Sequence, residues 1–211
     1  MKFKLFVEGY TEQKAIPTFL KRWLDAHLDK RVGIQAVRFE GWQELVKDTP
    51  LKARMYLEGP DKKDIIGVIA LLDLYGPTFY PKDRKTAMER YHWAKEKLEQ
   101  KVGHPKFRQF FAIHEVEAWL LSDPILFNPK IKNALPNKPP EEVNFNEPPA
   151  KLLERLYKQH TKRRYKKVTY GRELFSQLDP NLAYSKCPRL KAMLDEMLKM
   201  AKQAVINTLK K

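Results

Sequence analysis

The sequence predicts an α/β protein: a parallel sheet with helices on both faces, extended at the C-terminus by a mainly helical part. Three observations carry that reading. Segments 2–7, 33–39, 65–72 and 107–113 have strand length and strand composition, and helical periodicity separates them, in the order βαβαβαβ. The third segment, Ile65-Ile66-Gly67-Val68-Ile69-Ala70-Leu71-Leu72, is almost wholly apolar, as a strand buried on both faces must be. That segment ends abruptly at Asp73, and open parallel sheets carry their chemistry beyond the carboxyl ends of their strands.

Composition bounds the function. A chain of 211 residues holds one sizeable domain, or a main domain and a small annex. Its 41 Lys and Arg against 26 Asp and Glu give a net charge of +15, which favours polyanionic partners, nucleic acid first. No stretch approaches the roughly 18 apolar residues of a membrane span. The opening MKFKLFVEG has too short an apolar core for a signal peptide and reads as a strand. The single cysteine, Cys187, excludes an internal disulfide and a Cys-based zinc cluster, and a reducing, cytoplasmic setting is the simple inference.

The first strand runs into Glu8-Gly9-Tyr10-Thr11-Glu12. Gly9 permits a tight turn, and Thr11 is placed to cap a helix over 12–28 with Ile16, Phe19, Leu20, Trp23 and Leu24 on one stripe. Glu12 falls where a helix N-terminus favours a carboxylate, which gives it a structural role; Glu8 stands at the strand tip. A second helix covers 41–57, with Pro50 as a candidate break, and a charged third covers 85–102. In doubly wound sheets the first and third strands are often neighbours, which would join Glu8 to Asp73 at one edge. Asp73 is open to two readings, a cap on the next turn or a functional carboxylate.

The fourth strand delivers His114-Glu115-Val116-Glu117-Ala118-Trp119. If this stretch is helical, His114 and Glu117 share a face and Glu115 points elsewhere. A zinc HExxH would need His where Ala118 stands, so a zincin is excluded. Helix-start electrostatics is the alternative account of Glu117.

Val7-Glu8-Gly9-Tyr10-Thr11-Glu12, Leu72-Asp73-Leu74-Tyr75-Gly76 with Pro81, and His114-Glu115-Val116-Glu117-Ala118-Trp119-Leu120-Leu121-Ser122-Asp123-Pro124 together resemble the DUF4276 family. Tyr165-Lys166-Lys167-Val168-Thr169-Tyr170-Gly171 and Cys187-Pro188-Arg189-Leu190 match that family's C-terminal pattern. The resemblance spans nearly the whole chain. It implies a Toprim-like, Rossmann-like fold related to the overcoming-lysogenization-defect (OLD) nucleases, topoisomerases and primases. It further implies Glu8 and Asp73 as catalytic residues and Mg²⁺ or Mn²⁺ as cofactor. Tyr75 replaces the second Asp of the Toprim DxD, so Glu115 or Glu117 would complete a metal set of Glu8, Asp73, Glu115 and Glu117. Mg²⁺ tolerates the change, because one or two carboxylates plus water and phosphate oxygens satisfy it. Glu12, Tyr75 and His114 are supporting candidates. Asp73-Leu74-Tyr75-Gly76 also resembles the DxDG of haloacid-dehalogenase-type phosphatases, but Tyr75 cannot act as their general acid. No phosphate-binding P-loop and no GxSxG motif is present.

Seven prolines between 124 and 149, without periodicity, mark an irregular excursion. The chain thus divides into an α/β core over 1–123, a Pro-rich segment over 124–149, and a basic, mainly helical part over 150–211 packed on the core. That last part opens with a helix over 150–159 and closes with one over 188–209. Between them, 158–172 holds seven Lys or Arg and no acid, with Tyr165 and Tyr170 interleaved. Lys162, Arg163, Arg164, Lys166, Lys167 and Arg172 are the nucleic-acid candidates, and the two tyrosines suit base or sugar stacking.

Two functions fit. One is a Mg²⁺- or Mn²⁺-dependent nuclease of Toprim type, working with a separately encoded ATPase in phage defence or DNA repair, as the OLD resemblance suggests. The other is a non-catalytic Toprim-like module that binds nucleic acid or a partner. The oligomeric state is open, a homodimer included.

Overall fold

The computed structural model describes residues 1–142, 147–161 and 164–209. Four strands form one parallel sheet in the order β2-β1-β3-β4: β1 (Lys2–Val7), β2 (Gly33–Arg38), β3 (Ile65–Asp73) and β4 (Phe107–Ala112). All four lie within a residue of the expected spans, and β1 does neighbour β3. This is the α/β class expected, with helices on both faces.

Alternation along the strands divides the core. Phe3, Leu5, Val7, Ile69, Leu71, Phe110 and Ala112 face one layer, against α1 (Tyr10–His27) and helices of the C-terminal part. Phe6, Val68, Ala70, Leu72, Phe107 and Phe111 face the other, against α2 (Trp42–Glu58) and α3 (Ala87–Val102). Because β1 and β3 are central and covered on both sides, β3 is buried from Ile65 to Leu72.

Pro50 does not break α2. A proline cannot donate to the carbonyl four residues back, here Val46, and the Lys101 ammonium donates to that oxygen instead at 3.3 Å. Thr11 is not the cap of α1. The helix begins two residues earlier, with Gly9 at its N-cap, and Thr11 lies inside its first turn, buried.

The Pro-rich segment is not without structure. After α4 (Glu117–Leu120) comes α5 (Pro129–Ala134), and residues 140–142 form a single 3₁₀ turn. There the Glu141 carboxylate accepts the N–H groups of Arg189 (2.9 Å) and Leu190 (3.2 Å), capping the last helix. Beyond it lie α6 (Pro149–Thr161), a π-helical turn (Lys167–Gly171), α7 (Arg172–Gln177), α8 (Pro180–Lys186) and α9 (Pro188–Leu209). Helix α9 closes on β3 at Gly67, where a Cβ would meet Met200 Cε at 2.3 Å and the Lys106 carbonyl at 2.8 Å. Among the described residues no helix is long and apolar enough to cross a membrane.

Candidate functional site

The site forms where three strands end. Val7 pairs with Leu71, so the next residue of β1 reaches the last residue of β3. There Glu8 Oε1 accepts the Asp73 backbone N–H at 2.9 Å. Asp73 in turn accepts the Val116 N–H at 3.0 Å, which draws the segment after β4 over the same edge.

That segment is not helical from His114 onward. His114 has φ of 65°, a left-handed backbone that a non-glycine residue enters only at a cost in strain. Helix α4 therefore starts at Glu117, and His114 shares no helical face with it. Glu115, expected to point elsewhere, converges with Glu117 instead. Oxygens of Asp73, Glu115 and Glu117 all lie within 4.8 Å of one another. Glu8 is not part of this closest group; it touches Asp73 through the backbone.

Their counter-charge comes from Lys167. Its ammonium is 3.1 Å from Glu115 Oε1 and 3.3 Å from Glu117 Oε2, the second an ion pair without hydrogen-bond geometry. Glu115 Oε2 accepts the Ala150 N–H at 2.8 Å and so caps α6. Glu117 is wholly buried, and its Oε1 has no hydrogen-bond partner among the described residues. Burial pushes the Asp73 carboxyl well above the usual carboxylate range; Glu8 adds to the shift and Lys167 opposes it. Burial likewise pushes Glu117 to about 7, with Lys167 opposing and Glu115 adding. Glu8 also reaches about 7 through burial, against the hydrogen bond from Asp73. Glu12 is raised by burial and by Glu115; its carboxylate folds back over Gly9, where a Cβ would lie 2.3 Å from Oε2. Burial alone would depress the Lys167 ammonium, yet Glu117, Asp73 and Glu115 hold it above its ordinary value.

Among the described residues five carboxylates thus face one ammonium, in a place that penalises net charge. The set fits a small divalent cation. All its donors are hard carboxylate oxygens, and one, Glu117 Oε1, is buried without a partner.

The basic run is divided. Lys162 and Arg163 lie outside the described residues. Arg164, Lys166 and Arg172 are exposed, whereas Lys167 turns inward to the carboxylates. Tyr165 is buried, and Tyr157, Tyr165 and Tyr170 pack on one another at centroid distances of 5.4–6.2 Å. The ring of Tyr165 is therefore taken up internally, while Tyr170 is half-buried. Of the supporting candidates, Glu12 joins the carboxylates. His114 is buried, which depresses its pKa, and Tyr75 is 38% exposed. Lys167 was legible only as one base among seven. Its inward turn follows from the π-helical turn, a local widening common at functional sites.

A cavity of about 990 Å³ opens at the opposite edge, between Ile66, Lys106 and Met200. Its one acid, Glu196, is already paired with Arg108 at 2.7 Å, so the carboxylate chemistry is not there.

A family model described as "Domain of unknown function (DUF4276)" matches residues 7–198. The chain belongs to the DUF4276 family. No curated protein matches it. Among solved structures, this DUF4276 protein is similar to the C-terminal region of the Burkholderia pseudomallei OLD protein. Identity is 19% and the TM-score 0.46, over 94% of this chain and 97% of that one. It is also similar to the C-terminal region of the Xanthomonas campestris pv. campestris OLD protein. There the identity is 16% and the TM-score 0.47, over 99% and 98% of the two chains. Likeness at this level says nothing of activity.

Proposed function

We propose that this DUF4276 protein is a metal-dependent phosphodiesterase of nucleic acid, with Asp73, Glu115 and Glu117 holding Mg²⁺ or Mn²⁺. The observation that carries the reading is the cluster itself: three carboxylate oxygens within 4.8 Å, one of them on a buried carboxylate with an unpartnered atom. A divalent ion bound there supplies charge neutralisation at a phosphate and a more acidic water. Glu8 holds the Asp73 backbone in place, and its raised pKa near 7 suits it to exchange a proton at neutral pH. Lys167, over a third exposed, is free on one side to meet a phosphate oxygen. Arg164, Lys166 and Arg172 supply exposed positive charge for the strand. A separately encoded ATPase and a cytoplasmic setting belong to the same proposal.

One observation favours a non-catalytic binding module instead: Lys167 already answers part of the cluster's charge, and Tyr75 stands where a further carboxylate would help. Calorimetric titration of Mn²⁺ into the wild type and Asp73→Ala separates the two. Heat in the wild type that the variant loses, with Mg²⁺- or Mn²⁺-dependent cleavage of labelled DNA or RNA, supports the nuclease. Equal, negligible heats remove the metal site and leave the binding module.

A further inference from the structure

A second, unassigned concavity of about 580 Å³ is lined by Tyr10, Lys14, Val168, Thr169, Arg172, Glu173 and Ser176. Both its walls continue from the site along the chain. Tyr10 is two residues beyond Glu8, and Val168 and Thr169 follow Lys167 in the same π-helical turn. Its chemistry differs, however. Tyr10 is 49% exposed, and two cations stand over its ring. Lys14 Nζ stands 5.4 Å from the ring centroid and the Arg38 guanidinium, itself paired with Glu40 at 2.6 Å, stands at 6.0 Å, while Arg172 and Glu173 line the hollow. Val168, 47% exposed, adds an apolar wall.

A half-exposed aromatic ring, an apolar wall and nearby cations suit a flat π-system attached to a phosphate, which is the chemistry of a nucleotide. A base inside a duplex has both faces covered by its neighbours and offers only its edges. We propose that this hollow is a stacking subsite for one unpaired nucleobase beside the phosphate held at the carboxylates, so that the substrate strand is single-stranded there. The inference rests on the nucleic-acid reading above and names its substrate class. Tyr165 cannot serve in this role, being buried, and Tyr10 takes it over.

The test is binding in EDTA, so that neither metal nor cleavage enters. Fluorescence anisotropy with a labelled oligothymidylate and a duplex of equal length compares the wild type with Tyr10→Ala and Tyr10→Phe. A 5-iododeoxyuridine-substituted oligothymidylate, irradiated and mapped by peptide mass spectrometry, reports the contact directly. The subsite predicts tighter binding of the single strand, a loss of about 5- to 100-fold in Tyr10→Ala, near-full retention in Tyr10→Phe, and a cross-link on Tyr10. Undiminished affinity in Tyr10→Ala with cross-links elsewhere overturns it, as does preference for the duplex. A wild type that binds neither nucleic acid overturns the nucleic-acid reading and the subsite with it. Single-strand binding that is independent of Tyr10 removes the subsite alone.

Discussion

The carboxylate of Glu8 accepts the backbone N–H of Asp73 at 2.9 Å, tying the tips of β1 and β3 by a bond that uses no side chain of β3. Glu8 thereby sets the position of Asp73 while leaving the Asp73 carboxylate to Val116 and the cluster. Glu8→Ala leaves that N–H without its acceptor and should cost about 1–3 kcal/mol in urea unfolding. Glu8→Gln keeps an acceptor oxygen and removes one of the crowded charges, so it should be close to neutral. Equal losses in the two variants would mean that charge, not the hydrogen bond, is what Glu8 contributes.

Stability without metal should fall as pH rises. Glu8 and Glu117 have folded values near 7, above the usual carboxylate value, so between about pH 4.5 and 7 the folded state binds more protons than the unfolded one. The linkage slope is then negative: their contribution is full below the unfolded value and is lost as pH climbs through the folded one. Lys167, raised from an already high value, stays protonated throughout and does not reverse the sign in this window. Urea midpoints in EDTA should drop between pH 5 and 7.5, by on the order of 2 kcal/mol. Asp73→Asn should flatten the drop, and a rising profile would contradict the burial of these groups.

Lys167→Met removes the ammonium and leaves Glu117 buried with no counter-charge among the described residues. The expected loss at pH 7.5 is about 1–3 kcal/mol, below that of a fully buried pair because Lys167 is 37% exposed. Under the metal proposal, Mn²⁺ should raise the variant's Tm by more than it raises the wild type's. Thermal melts with and without Mn²⁺ measure both effects, and an unchanged Tm in EDTA would deny Lys167 its role as counter-charge.

The exposed bases predict a salt effect. Replacing Arg164, Lys166 and Arg172 together by Ala should weaken oligonucleotide binding in EDTA and flatten its dependence on salt, by about one unit of slope per lost phosphate contact. Identical slopes for wild type and triple variant would make these residues ordinary solvated surface.

Gly67→Ala should destabilise by about 1–3 kcal/mol, because its Cβ meets both Met200 Cε and the Lys106 carbonyl. Adding Met200→Ala should relieve only part of the strain, since the carbonyl is backbone and cannot swing away. Full rescue by the double variant would show that the strand edge gives way more easily than this packing implies.

The four strands and the long helices were legible in the sequence because each rests on local information. A double-faced apolar run such as 65–72 has few alternatives, and periodic stripes such as Ile16 to Leu24 fix a helix face. The carboxyl edge was legible too, since strand ends carry Glu8 and Asp73 by position alone. The convergence of Glu115 with Glu117 was not. It depends on the left-handed backbone at His114, which a histidine adopts only when the surrounding structure compensates the strain. Nor could spacing single out Lys167 from six neighbouring bases, or send Tyr165 inward and leave Tyr10 outside. Those choices belong to long-range packing: the π-helical turn folded against α1 decides which side chains meet buried carboxylates and which meet water. The sequence determined which charges this protein carries; tertiary structure decided which of them must share a dry site, because only burial makes one carboxylate's neighbours matter to its energy.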